Sequence, residues 1–309
     1  MKTKFKSSIR ATCHSFAGVV CVGAALLMAA STQAQNLFVA NCGSANNIIQ
    51  ITPGGVQSTF AFGLGGPEGL AFNSAGDLFA ADSQSGNIYK FTPGGTRTTF
   101  ASGFNVPYGL AFDSAGDLFV SDGGGNDIIM FTPGGVRSAF ASGLNDPAGL
   151  AFNSAGDLFA ADMHSGNIYE FTPGGVRSTF ASGLAGPWGL AFNSTGDLFV
   201  ANEDNGVLGG GSITKITPSG VQSTIASGLD APNGLAFNIA GDLFVTDGAG
   251  NNIIKITPNG VQSIFVSGLD NPVGLAFQPV PEPSALGLLA IGTTALLVCR
   301  RRNLVAVRT

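Results

Sequence analysis

Apolar positions recur along the middle of this chain with a period of about 40 residues. Gly-Leu-Ala-Phe begins at six positions, at spacings of 40, 40, 40, 45 and 40 residues: Gly69, Gly109, Gly149, Gly189, Gly234 and Gly274. Leu-Phe and Thr-Pro recur with the same period, and the five extra residues fall between Glu203 and Gly211. A fixed period of this size is typical of proteins built from stacked structural repeats.

Each repeat predicts four short strands. In the third copy these are residues 109–112, 117–121, 127–132 and 136–142, which are rich in Phe, Val and Ile and bounded by turn residues. Gly116 supplies a residue for positive φ between the first two strands. Pro133 and Gly135 take the second and fourth positions of a turn between the last two. We call the four strands a, b, c and d.

The repeats predict an all-β, six-bladed β-propeller of four-stranded blades. A four-stranded unit of this length cannot bury both faces alone, so the units are expected to stack around an axis. The array opens with strand b at Leu37 and stops with strand a at Gly274. We therefore predict that strands b, c and d from the N-terminus pair with the C-terminal strand a, which closes the ring.

Charge narrows the choice of partners. The 309 residues carry a net charge of −5, and only 11% of them are charged. Between residues 35 and 279, six Lys and Arg face 18 Asp and Glu, so this part carries 6 − 18 = −12. Such a charge argues against nucleic acid as a partner, because phosphate binding needs a basic surface.

The two ends of the chain predict export. Residues 1–34 have a basic start, an apolar run and small residues before Gln35, the pattern of a secretory signal peptide handled by the Sec machinery. Cys42 is the only cysteine between residues 35 and 279, so no disulfide is expected within that domain. The expected domains are thus a signal peptide (1–34), a propeller (35–279) and a C-terminal segment (280–309).

The C-terminal segment resembles a PEP-CTERM sorting signal. Its three parts are Pro281-Glu282-Pro283, an apolar run over residues 285–299 and the cluster Arg300, Arg301 and Arg302. The resemblance implies processing by an exosortase of a Gram-negative bacterium, with transient membrane association through residues 285–299. The final place would be the periplasm, the outer surface or the extracellular matrix. The alternative is an ordinary C-terminal membrane helix, although 15 residues of helix span only about 23 Å.

The repeat itself resembles known propellers. The stretch Pro-Tyr-Gly-Leu-Ala-Phe at 107–112, followed by Gly-Asp-Leu-Phe-Val-Ser-Asp at 116–122, resembles the NHL repeat. It is also similar to six-bladed propellers of the SMP-30/gluconolactonase and streptogramin-lyase type. These families include enzymes, binding modules and scaffolds, so the resemblance implies the fold more specifically than the chemistry.

One end of the predicted propeller differs from blade to blade. The residue between Pro and Gly before strand a is different in every copy: Glu68, Tyr108, Ala148, Trp188, Asn233 and Val273. The b-to-c loops at the same end differ too. Varied side chains on a rigid scaffold favour a ligand-binding face, and drift in loops without a role is the alternative. Tyr108 and Trp188 could stack on sugar rings, or could serve only to pack neighbouring blades.

A ring of oxygen-bearing side chains ends the b strands: Asn41, Asp82, Asp122, Asp162, Asn202 and Asp247. Such residues are expected to accept hydrogen bonds from the backbone of nearby loops. The alternative is a site for Ca²⁺ or another divalent cation, which takes six to eight oxygen ligands.

The resemblance to SMP-30-like lactonases implies a metal held by a Glu and by Asn or Asp residues. Glu68 and Asn233 occupy two of the matching positions, but the expected Asp is missing. A streptogramin-lyase-like activity would need a histidine base, and His164 is the only histidine after residue 34. We therefore predict a non-catalytic surface or matrix module that binds a glycan or protein. The sequence specifies no cofactor, and Ca²⁺ or another divalent cation is the alternative. A metal-dependent lactonase or similar hydrolase is the alternative, and a lyase is the weaker one.

Overall fold

A computed structural model of the chain describes residues 35–204 and 209–280. Three features predicted from the sequence lie outside the described residues: the signal peptide, the apolar run over 285–299, and the sorting motif with its arginine cluster. No helix in these two stretches is long and apolar enough to cross a membrane.

The described residues form 24 short strands. The first eight are β1 (Leu37–Asn41), β2 (Asn47–Ile51), β3 (Gln57–Ala61), β4 (Pro67–Phe72), β5 (Leu78–Asp82), β6 (Asn87–Phe91), β7 (Arg97–Ser102) and β8 (Pro107–Phe112). The next eight are β9 (Leu118–Asp122), β10 (Asp127–Phe131), β11 (Arg137–Ser142), β12 (Pro147–Phe152), β13 (Leu158–Asp162), β14 (Asn167–Phe171), β15 (Arg177–Ala181) and β16 (Pro187–Phe192). The last eight are β17 (Leu198–Asn202), β18 (Gly211–Ile216), β19 (Gln222–Leu229), β20 (Pro232–Phe237), β21 (Leu243–Asp247), β22 (Asn252–Ile256), β23 (Gln262–Ser267) and β24 (Pro272–Phe277).

The strands form six antiparallel four-stranded sheets, the blades of the predicted propeller. Five blades use consecutive strands, and the sixth has the order β24-β1-β2-β3. The innermost strands are β4, β8, β12, β16, β20 and β24. Each contacts the innermost strand of the next blade, and β24 contacts β4, so the ring closes. The six-bladed fold and the pairing of the two ends of the array are both confirmed.

The closing blade is joined by regular pairing. Leu37 pairs with Phe277 and Val39 with Leu275. Beyond the strands, the Gln278 backbone N–H donates to the Asn36 carbonyl over 2.9 Å. The sheet edges that the first and last segments would otherwise expose are therefore paired with each other.

The turns predicted at Gly116 and Gly135 are also present in the structure. Gly116 and Gly135 have φ of 86° and 80°. Their N–H groups donate to Asp113 and Thr132 at 3.2 and 2.8 Å. The inner strand, however, begins at Pro107 rather than at the predicted Gly109. The reason is a β-bulge, because the register shifts between Pro107 and Leu110.

Phenylalanine pairs join each blade to the next. The Phe at the second position of strand b packs edge-on against the Phe that ends strand a of the following blade. The ring centroids are 4.9–5.1 Å apart in the six pairs: Phe38–Phe72, Phe79–Phe112, Phe119–Phe152, Phe159–Phe192, Phe199–Phe237 and Phe244–Phe277. Such pairs contribute about 0.5–1.5 kcal/mol each beyond the burial of their area. The pair at the closing blade, Phe244–Phe277, is equivalent to the other five.

Close approach at the axis requires glycine. A Cβ placed on the glycine of each inner strand would overlap a backbone carbonyl of the next blade. This carbonyl belongs to the residue directly after the proline of that inner strand; for Gly149 it is the carbonyl of Trp188. The same clash arises at the equivalent glycines of the other five blades: Gly69, Gly109, Gly189, Gly234 and Gly274. The Gly in Gly-Leu-Ala-Phe therefore sets the spacing of the inner strands.

Replacing Gly149 with alanine tests this spacing. The new methyl group must displace the backbone of the neighbouring blade, and overpacking of this kind typically costs about 1–3 kcal/mol. We expect Gly149→Ala to lower the thermal midpoint by several degrees in differential scanning calorimetry. Gly54→Ala is the matched control, because no atom lies within 4 Å of a Cβ at Gly54. Equal midpoints for the two variants would contradict the packing argument.

Removal of the N-terminal strands tests ring closure. A mature chain that starts after Phe60 lacks the strands that pair with β24, so we expect broad, non-cooperative melting. The measurement is a thermal melt followed by circular dichroism beside the chain that starts at Gln35. A transition as sharp as that of the longer chain would contradict ring closure.

Candidate functional site

The residues between Pro and Gly meet at one end of the central channel. The bulge at the start of each inner strand inserts one extra residue opposite strand b, as between Pro67 and Leu70 in β4. A bulge twists its strand and redirects the side chains within it. We call the six residues at this position the mouth ring: Glu68, Tyr108, Ala148, Trp188, Asn233 and Val273.

A second set of residues surrounds the mouth ring. It consists of the first residue after each strand b, whose backbone N–H donates to the carbonyl of the residue before the inner-strand proline. In the blade of Glu68 this bond runs from Ser83 to Gly66 over 2.8 Å. We call this set the loop ring: Cys42, Ser83, Gly123, Met163, Glu203 and Gly248. These residues also differ in every blade except for the two glycines. The sequence predicted that the b-to-c loops at this end vary, but it did not single out their first residues.

Glu68 lies at the mouth and is only 9% exposed. The Cys42 thiol and the Ser83 hydroxyl both donate to its Oε1, at 3.3 and 3.2 Å. Burial raises the pKa of Glu68 to about 7; the two hydrogen bonds lower it, and the nearby carboxylates of Glu203 and Asp82 raise it. A carboxyl group with this pKa changes its charge near neutral pH.

Cys42 is held as a thiol mainly by its burial. Burial raises its pKa to about 12, and the negative charge and hydrogen bond of Glu68 add to the effect. Because the thiolate is the reactive form of cysteine, this environment opposes a nucleophilic role. Cys42 acts here as a hydrogen-bond donor to Glu68.

Tyr108 and Trp188 contact each other across the mouth. Their ring centroids are 4.9 Å apart and the planes are inclined by 59°. Ala148 belongs to the blade between them, and its small side chain is fully buried. Burial raises the pKa of Tyr108 to about 12, with smaller contributions from Asp146, Glu68 and Glu203. The sequence placed the two aromatic residues at one end, and the structure brings them into contact.

Asn233 lies two blades away from Glu68, with Val273 between them. Asn233 is 6% exposed, and its Oδ1 accepts no hydrogen bond from the described residues. Within residues 35–204 and 209–280, no group of three or more His, Cys, Asp or Glu is suited to hold a metal ion. Glu68 and Asn233 supply two oxygen ligands, fewer than a protein site for a divalent metal generally has, so a metal held by this pair stays a prediction.

The acidic side chains at the ends of the b strands hold loops in place. Asp82 accepts hydrogen bonds from the backbone N–H groups of Gly65 and Gly66, at 2.7 and 3.0 Å. Three equivalent residues accept a backbone N–H from the same connection of their own blades, at 2.6–2.8 Å: Asp122, Asp162 and Asp247. The oxygens are thus engaged by the protein, and a cation site at these residues remains a prediction.

His164 does not join the mouth-ring cluster. Its Nδ1 lies 3.1 Å from a carboxylate oxygen of Asp146, and its side chain is 58% exposed. No second histidine lies among the described residues. His164 therefore gives no support to a histidine-based lyase.

The channel behind the mouth is narrow. It encloses about 90 Å³ and is lined mainly by the glycines and leucines of the inner strands. Ligand pockets for small molecules usually measure about 300–1,000 Å³. A ligand of that size would have to bind at the mouth rather than inside the channel.

Comparisons with known proteins agree with the fold and identify the C-terminal signal. Residues 279–302 match the PEP-CTERM protein-sorting motif, which indicates export and exosortase-mediated processing with membrane-associated sorting. No curated protein matches the chain in sequence.

Three similar solved structures are propellers of low sequence identity. A chain in a nidogen/laminin complex is 20% identical with a TM-score of 0.71, covering 80% of this chain and 99% of that one. A virginiamycin B lyase from Staphylococcus aureus is 18% identical with a TM-score of 0.58, covering 77% and 86%. A putative gluconolactonase is 17% identical with a TM-score of 0.61, covering 70% and 82%. At these identities the likeness shows the fold alone.

The pKa of Glu68 predicts a pH-dependent stability. Because the folded protein keeps a proton on Glu68 up to about pH 7 and the unfolded chain loses it near pH 4.5, stability falls as the pH rises between these values. Glu68→Gln keeps a neutral side chain, so we expect this variant to gain stability relative to the wild type over that range, by no more than about 3 kcal/mol.

The measurement is urea unfolding of both proteins at pH 4, 6 and 8. Glu170→Gln, an equivalent change on the outer part of a blade, serves as the control. A stability difference between Glu68→Gln and the wild type that does not change with pH would contradict the buried, protonated state of Glu68.

Proposed function

We propose that the exported propeller is a non-catalytic binding module that captures a glycan or protein ligand at the mouth. The observation that carries this proposal is the contrast between two parts of one repeat. The Gly-Leu-Ala-Phe segment is the same in all six blades, whereas the mouth-ring residue directly before it is different in all six. Packing explains the constant part, because the glycine faces the backbone of the next blade and the phenylalanine packs against the preceding blade. Recognition of an asymmetric ligand would explain the varied part.

The alternative function is a metal-dependent lactonase or similar hydrolase. The fold likeness to a putative gluconolactonase and the pKa of Glu68 near 7 favour it. The incomplete ligand set of Glu68 and Asn233 weighs against it, because Val273 fills the mouth-ring position between them. A lyase activity has less support, since His164 does not join the mouth-ring cluster.

A binding screen with a Trp188 variant tests the proposed function. Trp188 lies at the mouth, and loss of an aromatic contact with a ligand should weaken binding by about tenfold. We expect wild-type protein to bind at least one ligand on a glycan array or a panel of matrix proteins, and Trp188→Ala to lose that signal. Phe62→Ala is the control, because Phe62 is a 79% exposed aromatic residue outside the two rings. Equal binding by wild type and Trp188→Ala would contradict a role for the mouth.

Thermal melting with metal ions distinguishes the hydrolase. A ligand present at 100 times its Kd stabilises the folded state by about 2.7 kcal/mol. A binding module without a metal site should melt at the same temperature with Ca²⁺, Zn²⁺ or EDTA. A shift caused by one ion and abolished in Glu68→Ala, together with lactone hydrolysis, would replace the proposed function with the alternative.

A further inference from the structure

The mouth carries negative charge without a basic partner. All six Lys and Arg residues between positions 35 and 280 belong to strands c and d, away from the two rings: Lys90, Arg97, Arg137, Arg177, Lys215 and Lys255. The three lysines are paired at 2.7–2.8 Å with aspartates of the opposite end, which are Asp77, Asp197 and Asp242. Glu68 and Glu203 at the mouth have no such partner among the described residues.

Glu68 has one oxygen free to accept a hydrogen bond. Both donors, Cys42 and Ser83, are bonded to Oε1, and Oε2 receives no hydrogen bond from the described residues. The side chain is nine-tenths buried and lines the channel together with Tyr108 and Trp188. Glu68 lines the channel, so a ligand that donates an N–H group to Oε2 can form a charge-assisted hydrogen bond, which is stronger than one between neutral groups.

The aromatic pair favours a compact cationic group over a flat sugar ring. Tyr108 and Trp188 are inclined by 59° to each other, so together they form a wedge rather than a plane. The faces of aromatic rings attract organic cations, and the interaction is worth about 0.5–2 kcal/mol. The space of about 90 Å³ that Glu68, Tyr108 and Trp188 help to line matches a small head group.

The donors required at the mouth distinguish between cations. A bare metal ion would need several oxygen ligands, which the described residues do not bring together. A quaternary ammonium group has no N–H to donate to Oε2. A primary ammonium group carries both a positive charge for the rings and N–H donors for the carboxylate.

We propose that the mouth recognises a primary ammonium group, held between the free Oε2 of Glu68 and the wedge formed by Tyr108 and Trp188. This inference rests on the proposed function and names the chemistry that the same site selects. Glu203 adds negative charge at the loop ring beside this group. The ammonium group could belong to a lysine side chain or to an amino sugar, and the probes below separate the two.

The test compares each ammonium probe with its neutral, acetylated form. Nα-acetyl-lysine amide is paired with the same molecule acetylated at Nε, and glucosamine is paired with N-acetylglucosamine. Binding is followed at pH 7, where the amines of both ammonium probes are mostly protonated, and at pH 8, where Glu68 is ionised. The measurements are isothermal titration calorimetry and the fluorescence of Trp188, the only tryptophan in the chain. We expect at least one ammonium probe to bind at least tenfold more tightly than its acetylated form, and the tighter of the two identifies the source.

Two variants assign the binding to the proposed contacts. Glu68→Gln and Trp188→Leu should each raise the Kd of the ammonium probe by about tenfold, whereas Glu170→Gln should leave this Kd unchanged. Circular dichroism melts establish that each variant is folded before titration. Three results would overturn the inference. The ammonium probes do not bind, they bind no more tightly than their acetylated forms, or they bind to Glu68→Gln as tightly as to Glu170→Gln.

These outcomes separate the two proposals. Binding of N-acetylglucosamine that depends on Trp188, without a preference for glucosamine, overturns the ammonium inference and leaves the binding module in place. If no ligand on the array or panel gives a binding signal that depends on Trp188, the proposed function as a binding module is itself overturned.

Discussion

The close contact between inner strands at the axis is the constraint on which the rest of the structure depends. Each inner-strand glycine faces the backbone of the next blade, where no side chain fits. Six equivalent contacts hold the strands around a narrow channel. Farther from the axis, the phenylalanine pairs also join each blade to the next. The residue before each glycine is then forced to the mouth, because the bulge that admits the close contact also redirects that residue.

This arrangement separates the residues that form the fold from those that distinguish the blades. The turns between strands c and d repeat the same hydrogen bonds in all six blades, and in four blades an aspartate at the end of strand b holds the connection near the mouth. The side chains of the mouth ring and loop ring do not form these turn and connection hydrogen bonds. A change such as Ala148 to Trp188 between neighbouring blades therefore leaves the propeller intact, and it alters the surface offered to a ligand.

Much of the fold could be predicted from the sequence because each repeat carries local signals of its own. Gly116 and Pro133 mark turns whose geometry few other residues support, and the phase of Leu37 and Gly274 predicts the closing blade. The bulge at Pro107 could not be predicted, because it depends on packing against the next blade rather than on residues 107–112 alone. The strand boundary was therefore misplaced by two residues.

The site was predictable only in part. The variation at Glu68, Tyr108, Trp188 and Asn233 drew attention to one end of the propeller. The contacts of Glu68 with Cys42 and Ser83 come from two different blades and have no local pattern in the sequence. The contact between Tyr108 and Trp188 joins two blades that are separated by the blade of Ala148, so no local pattern in the sequence predicts it.

Nuclear Overhauser effects between Trp188 and Tyr108 are the most direct measurement of the mouth. The chain has one tryptophan and three tyrosines, so selective labelling with Tyr108→Phe as the assignment control gives unambiguous signals. A closed ring with Ala148 between the two residues predicts strong cross-peaks between the indole and phenol rings, whose centroids are 4.9 Å apart. Absence of these cross-peaks in a folded protein would show that the varied side chains do not share one mouth, and the account of the site would be wrong.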